Sequence, residues 1–127
     1  MTRISAIAIV MGGAILWAAT PALGADAAAG ETAFKAKCAT CHTVEKGGKN
    51  GVGPNLFGIA GQKSAQVAGF TKYSAPFKAA NITWTDDKLK SWIAAPAKVV
   101  PGTKMILIKP VTATEADDII AFLNTKK

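Results

Sequence analysis

Histidine, cysteine, arginine and aromatic residues are all scarce in this chain of 127 residues. One His and two Cys exclude a scaffold held by several disulfides and most metal or catalytic sites that need several histidines. Only 7% of the residues are aromatic, although 50% are hydrophobic. That balance excludes a disordered chain and leaves a core of small aliphatic side chains unless a cofactor fills it. The length allows one compact domain.

The N-terminal segment has the pattern of a secretory signal peptide. Arg3 is followed by a long uncharged run and then by small residues. The run from Ile4 to Ala19 has 16 residues, fewer than the roughly 20 that comfortably span a bilayer. We therefore predict a signal peptide over residues 1–24, cleaved after Gly24 or Ala25, and a single domain over residues 25–127. The alternative is that the segment is retained as a membrane anchor.

Positive charge comes almost entirely from lysine. Lys and Arg together number 15 against 8 Asp and Glu, and Arg3 is the single arginine. Loss of Arg3 with the signal segment lowers the net charge of +7 by one. Readers of nucleic acid favour the bidentate arginine fork, whereas lysine is a hydrated point charge suited to diffuse attraction. The composition disfavours nucleic acid as a partner and favours an acidic protein or a membrane surface, although any single lysine can be merely solvated.

Sequence patterns predict three main helices and one short helix. We expect helices from Asp26 to Thr40, from Tyr73 to Ala79, from Thr85 to Pro96, and from Thr112, which forms a capping box with Glu115. Glycines and prolines in residues 44–61 and 98–111 predict loops without strands. This is too little secondary structure to bury a core alone, so we expect the long loops to wrap another group.

Residues 38–42 read C-x-x-C-H, the attachment signature of c-type haem. Two thiols one helical turn apart can each form a thioether with a haem vinyl group, and the following histidine can then reach the iron. The alternatives are weaker. A thioredoxin-like dithiol needs a βαβ context, a zinc site would lack a fourth Cys or His ligand, and a Cys38–Cys41 disulfide leaves His42 unexplained. The motif predicts one covalently bound haem c.

Met105 is the expected second ligand of the iron. It is the sole methionine once Met1 and Met11 leave with the signal segment, and His42 is the sole histidine. A lone methionine often fills a gap in a core. This one lies instead in the turn-rich stretch of residues 101–105, which favours axial ligation by His42 and Met105.

From Gly30 to Leu123 the chain resembles the class I cytochromes c, near the mitochondrial type and the short bacterial cytochromes c2. The resemblance rests on five motifs in order, which are CATCHTV at 38–44, KGGKN at 46–50, VGPNLFG at 52–58, ITW at 82–84 and PGTKM at 101–105. It implies an all-α cytochrome c fold in which helices and long loops surround one haem.

The resemblance also implies roles for other residues. The carbonyl of Pro54 would accept the second ring N–H of His42. Tyr73 and Trp84 would bond a buried haem propionate, although both could equally be ordinary core aromatics. A close contact between the first and last helices is implied for Gly30, Phe34, Ile119 and Phe122.

Three departures from the family pattern stand out. Gln62 lies where many relatives carry an arginine near the propionates, so one positive charge is missing and the oxidised form should be less disfavoured. Trp92 lies where a tyrosine commonly donates a hydrogen bond toward the methionine sulfur, a role that an indole N–H can take only if the geometry allows it. One extra residue falls in the segment 69–73.

The predicted site indicates an electron carrier rather than an enzyme. With both axial positions filled, the iron has no open site, and the soft thioether of methionine favours the ferrous state. We expect a periplasmic monomer that carries single electrons from a cytochrome bc1-type complex to a terminal cytochrome oxidase or a photosynthetic reaction centre. The alternative is a ligand-responsive or peroxidatic haem protein in which Met105 leaves the iron.

Such a carrier needs a small, electrostatically steered interface. The lysines expected around the haem edge, where they would dock on acidic partner proteins, are Lys37, Lys98 and Lys104, with Lys46, Lys49 and Lys109 as further members. Brief contact with a membrane surface is compatible with the same charge.

Overall fold

A computed structural model describes residues 12–14 and 24–127. Its helices are α1 (Ala27–Lys37), α2 (Ala75–Ala80), α3 (Asp86–Ala94), α4 (Pro96–Val99) and α5 (Ala113–Asn124). Within the described residues the only β pairing is an isolated bridge between Lys63 and Thr83. The predicted all-α fold with three main helices is confirmed, with two short helices where one was expected.

The predicted signal segment lies outside the described residues except for positions 12–14 and 24. Among the helices that the structure describes, none has the length and hydrophobicity needed to cross a membrane.

Side-chain caps fix where the helices begin. The Asp26 carboxylate accepts hydrogen bonds from the backbone of α1, and Ser74 and Thr85 cap α2 and α3 in the same way. Thr112 and Glu115 form a reciprocal capping box at α5. Each cap satisfies backbone N–H groups that the first helical turn leaves without a partner. The predicted starts of α1, α3 and α5 are therefore confirmed.

The first helix ends earlier than predicted, at Lys37 instead of Thr40. The backbone N–H of Ala39 donates to the Phe34 carbonyl at 3.0 Å, and the N–H groups of Cys41 and His42 both donate to the Cys38 carbonyl, at 3.1 and 3.0 Å. These bonds replace the helical pattern with a tight turn. The attachment motif therefore leaves the helix axis and lies against the interior of the molecule.

Pro96 both ends one helix and begins another. It is the first residue of α4, where its missing N–H is not needed. The predicted loop of residues 98–111 is wrong at its start, because Lys98 and Val99 belong to α4. The stretch from Pro101 to Val111 contains no helix or strand.

The core is centred on the crossing of α1 and α5. Gly30 lies so close to α5 that a Cβ there would be 1.9 Å from the carbonyl oxygen of Asp118. Next to this crossing, the rings of Phe34 and Phe122 lie with centroids 5.5 Å apart, and Ile119 is 1% exposed. The helix contact that the resemblance implied is present, and α1 is held where its C-terminal turn can present the Cys-His motif.

Five aromatic residues form a second cluster, apart from the Phe34–Phe122 pair. Phe77 lies 5.3 Å, centroid to centroid, from both Tyr73 and Trp92, and Trp92 lies 5.4 Å from Trp84. Phe70 extends the cluster beside Tyr73 at 4.7 Å. The cluster joins α2, α3 and the loops before them into one wall.

Candidate haem site

A cavity of about 580 Å³ lies between the helices and the loops. Its wall contains all four residues that the sequence singles out for haem chemistry, Cys38, Cys41, His42 and Met105. Aliphatic and aromatic side chains make up most of the rest, some from α1, α3 and α5 and more from the loops. The fold thus brings together two segments that are far apart in the sequence and surrounds them with apolar groups.

Cys38 and Cys41 are both unpaired thiols on the cavity wall. Burial raises the pKa of Cys38 to about 11, with the neighbouring Cys41 adding to the shift and Lys37 opposing it. The Cys38 thiol is therefore uncharged near neutral pH, and both cysteines are free for covalent attachment. This arrangement does not match the alternative of a Cys38–Cys41 disulfide.

The imidazole of His42 is held in one orientation. Its Nδ1 lies 2.8 Å from the Pro54 carbonyl oxygen, which can only accept, so Nδ1 carries the proton and Nε2 keeps a lone pair. Burial lowers the pKa of His42, while the bond to Pro54 acts in the opposite direction. The ring is neutral, which is the form that ligates a metal. The contact that the resemblance implied for Pro54 is present.

Gly53 is a site residue that sequence reasoning missed. A Cβ at this position would lie 2.4 Å from Cε1 of His42, so only glycine allows the backbone to pack flat against the imidazole. The signal was available in the sequence, because Gly53 directly precedes Pro54 in the loop motif.

Met105 is oriented by a hydrogen bond to its sulfur. Nε1 of Trp92 donates to Sδ of Met105 at 3.0 Å. The indole N–H therefore makes the hydrogen bond to the methionine sulfur that the resemblance implies for a tyrosine at this position. Trp92 is buried in α3 and packed against Phe77 and Trp84, which fixes the direction of its N–H. A thioether sulfur has two lone pairs, and this contact leaves one of them for another partner.

Tyr73 and Trp84 both line the cavity. The hydroxyl oxygen of Tyr73 accepts from the Val67 N–H at 3.3 Å, and burial raises the pKa of Tyr73, so the phenol keeps a proton that it can donate. No fully buried side-chain N or O in the described residues lacks a partner. The Trp84 N–H, which meets no protein acceptor there, is therefore not fully buried.

Lys37 does not present a free charge. Its ammonium donates to the Pro110 carbonyl at 2.8 Å and pairs with Glu115, and its side chain is only 18% exposed. The ammonium of Lys37 lowers the pKa of Glu115, assisted by the Thr112 backbone. This lysine ties the end of α1 to the start of α5, and we leave it out of the docking surface. Lys98 and Lys104 are exposed.

The donor set and the wall fit a covalently bound haem. Two free cysteines are available for attachment, a neutral imidazole and a thioether provide one nitrogen and one sulfur donor, and most of the remaining surface is apolar. These are the ligand types found for low-spin c-type haem. A structural zinc site would require a fourth Cys or His ligand, and the lining residues include only two Cys and one His.

Comparison with known proteins also indicates a protein with covalently bound haem. The family model for cytochrome c matches residues 27–127. Cytochrome c of Guizotia abyssinica is 43% identical over 98 residues, which is 77% of this chain and 87% of that protein. Cytochrome c2 of Rhodoblastus acidophilus is 43% identical over 102 residues, covering 80% of this chain and 94% of that protein.

A solved structure extends the comparison to the fold. Cytochrome cH from Methylobacterium extorquens matches with a TM-score of 0.71 and 46% sequence identity, over 80% of this chain and 99% of that chain. The chain therefore belongs to the cytochrome c family, whose members are electron-transfer proteins with one covalently attached haem c.

Proposed function

We propose that this protein is a diffusing periplasmic carrier of single electrons in which His42 and Met105 are the axial haem ligands. The observation that carries the proposal is that both residues line one cavity and that each is already oriented by a second residue. Pro54 fixes the imidazole at 2.8 Å, and Trp92 fixes the sulfur at 3.0 Å. Cys38 and Cys41 would form the two thioether bonds.

Haem supplies a one-electron couple between ferric and ferrous iron, and the protein determines which state is favoured. The imidazole and the thioether are both uncharged ligands, so neither compensates the extra positive charge of the ferric state. The apolar wall excludes the water that would stabilise that charge. Both features favour the ferrous state and a fairly high reduction potential.

The same ligand set supports a carrier over an enzyme. With one side chain on each axial position, no coordination site remains for oxygen, peroxide or an organic substrate. Tyr73 and Trp84 line the cavity and keep hydrogens that they can donate, and we assign them to a haem propionate. Electron exchange would then occur through contact between the partner and the haem edge, without bond formation.

Exposed lysines provide the docking surface in this proposal. Lys98 and Lys104 flank the methionine segment and are exposed, whereas Lys37 is paired with Glu115. An acidic partner surface complements this charge, and a small interface allows the rapid release that a carrier needs. We assign the donor to a cytochrome bc1-type complex and the acceptor to a terminal oxidase or a photosynthetic reaction centre.

Export supports the periplasmic location. The signal-like pattern of residues 1–24 would direct the chain out of the cytoplasm. Relatives named cytochrome c2 and cytochrome cH come from bacteria. Cleavage of the segment gives a soluble carrier, and its retention gives a tethered one.

Optical spectra of the holoprotein test the ligand assignment. The oxidised protein should show low-spin haem and the weak far-red band of methionine bound to ferric iron. Met105→His should stay low-spin but lose that band, because a second imidazole replaces the sulfur. The reduced, untreated protein should not bind carbon monoxide at neutral pH.

Two outcomes would contradict the proposal. A parent spectrum without the far-red band would remove Met105 from the iron. Carbon monoxide binding by the untreated reduced protein would show an open position and favour the ligand-responsive or peroxidatic alternative.

A further inference from the structure

The charge on the cavity wall is unbalanced. Three lysines, Lys37, Lys72 and Lys104, line the cavity, and the lining residues include no Asp or Glu. Glu115 neutralises Lys37 from outside the cavity. The ion pairs within residues 24–127 include neither Lys72 nor Lys104. Both of these lysines are exposed as well as lining the cavity. Their positive charge, with no acid on the wall, attracts a ligand that brings its own negative charge.

Lys72 and Tyr73 are consecutive residues that both line the cavity. The Tyr73 hydroxyl accepts from Val67 and keeps its own proton to donate. The ring of Trp84 belongs to the same aromatic cluster, because Phe77 lies 5.3 Å from Tyr73 and 6.2 Å from Trp84, centroid to centroid. An ammonium, a phenol and an indole N–H can each donate to a carboxylate.

The neighbouring polar groups on the wall carry no charge. The hydroxyl of Ser74 lines the cavity and accepts from the Phe77 N–H as the cap of α2, so it can donate a hydrogen bond but cannot supply a positive charge. Gln62 is exposed and does not line the cavity. Lys104 adjoins Met105 in the sequence, whereas Lys72 adjoins Tyr73 and falls in the segment with the extra residue.

We propose that Lys72 is a cofactor-binding residue whose ammonium pairs with a carboxylate of the bound haem, beside the Tyr73 hydroxyl. It supplies the positive charge that Gln62 does not. The inference rests on the haem site of the proposed function, and it does not depend on the electron-carrying role or on Met105.

The pairing has a measurable effect on the haem. The ferric state carries one more positive charge than the ferrous state, so a nearby ammonium disfavours it and raises the reduction potential. Lys72→Gln should lower the ferrous-to-ferric ratio at a given potential about threefold. This corresponds to about 28 mV, since a tenfold change is 59 mV for one electron.

The experiment is a spectroelectrochemical titration of the holoprotein at low salt and at 1 M salt. Lys72→Arg should keep the parent potential, and Lys72→Glu should lower the ratio about ninefold. The matched control is Lys78→Gln, because Lys78 is exposed in α2 and lies off the cavity wall. At 1 M salt the Debye length is about 3 Å, so the effect of Lys72 should persist while that of Lys78 disappears.

Equal shifts for Lys72→Gln and Lys78→Gln at both salt concentrations would overturn the proposal, as would the absence of any shift in Lys72→Gln and Lys72→Glu. If one of the Lys72 variants yields no holoprotein, the potentials of the other Lys72 variants still test the proposal. The far-red band is recorded for every protein. A parent without that band contradicts the electron-carrier proposal but leaves the Lys72 comparison valid.

Discussion

At the scale of single residues, the side chains of both proposed ligands are already oriented by neighbouring residues. The Pro54 carbonyl fixes the tautomer of His42, and Gly53 lets the backbone lie against the ring. The Trp92 N–H occupies one side of the Met105 sulfur. Because these contacts exist within the protein alone, the two ligands need little rearrangement when the iron is bound.

Trp92→Phe tests what the indole N–H contributes. The positive end of its dipole points at the sulfur and disfavours the additional charge of the ferric state. Removing it should lower the reduction potential by an amount equivalent to about 0.5–1 kcal/mol, the scale of one net hydrogen bond. The measurement is the potential of the holoprotein, together with its far-red band.

A double-mutant cycle provides the control for Trp92. In a Met105→His background there is no sulfur to accept the bond, so Trp92→Phe should have almost no effect. The same shift in both backgrounds would mean that Trp92 acts through packing with Phe77 and Trp84 instead.

Residue roles were predictable where the chemistry is local in sequence. The C-x-x-C-H motif placed both thiols and His42, and counting methionines selected Met105. The partner of Lys37 was not predictable, because Glu115 lies in another helix and no local pattern links them. The bond from Trp92 to the sulfur likewise depends on how α3 packs against the methionine segment.

At the scale of secondary structure, the starts of α1, α3 and α5 were predictable, whereas α2 begins at Ala75 instead of at the predicted Tyr73 and the end of α1 was also missed. Caps such as Asp26 and Thr112 act within a few residues, so their signals are visible in the sequence. The end of α1 depends on the turn that carries the haem-attachment motif. The helix α4 is a single turn that begins at Pro96, and no periodicity can be detected over so few residues.

Gly30→Ala tests the crossing of α1 and α5. In an exposed helix this change would stabilise by up to about 1 kcal/mol. Here the new Cβ would lie 1.9 Å from the Asp118 carbonyl oxygen and 2.9 Å from Cβ of Phe122. The helices must separate, so we expect the free energy of unfolding to fall by about 3 kcal/mol or more.

Denaturant unfolding of the holoprotein measures this effect. The control is Ala36→Gly, an exposed position in the same helix, which should cost only the intrinsic propensity difference of about 1 kcal/mol. A Gly30→Ala protein as stable as the parent would show that the two helices can move apart without loss.

At the scale of the whole molecule, acidic and basic side chains are unevenly distributed. Asp86, Asp87 and Asp117 line a second cavity of about 320 Å³ that shares no residue with the haem cavity, and Lys90 on the same wall pairs with Asp117. The haem cavity has lysines and no acid among its lining residues. The protein therefore has an uneven charge distribution as well as a net charge of +7. An uneven distribution of charge can orient a carrier as it approaches a partner.

Replacing both Lys98 and Lys104 by Gln tests whether this orientation matters. At low ionic strength, the second-order rate of reduction by a bc1-type complex should fall about three- to tenfold, and its dependence on salt should weaken, because steering acts on association. The control replaces Lys88 and Lys127, two exposed lysines away from the cavity wall. It removes the same net charge, so any attraction that depends on total charge alone would slow both proteins equally. A larger loss of rate for the Lys98 and Lys104 variant would place the partner contact at the haem edge. Equal losses of rate in the two variants would mean that Lys98 and Lys104 have no specific role in docking.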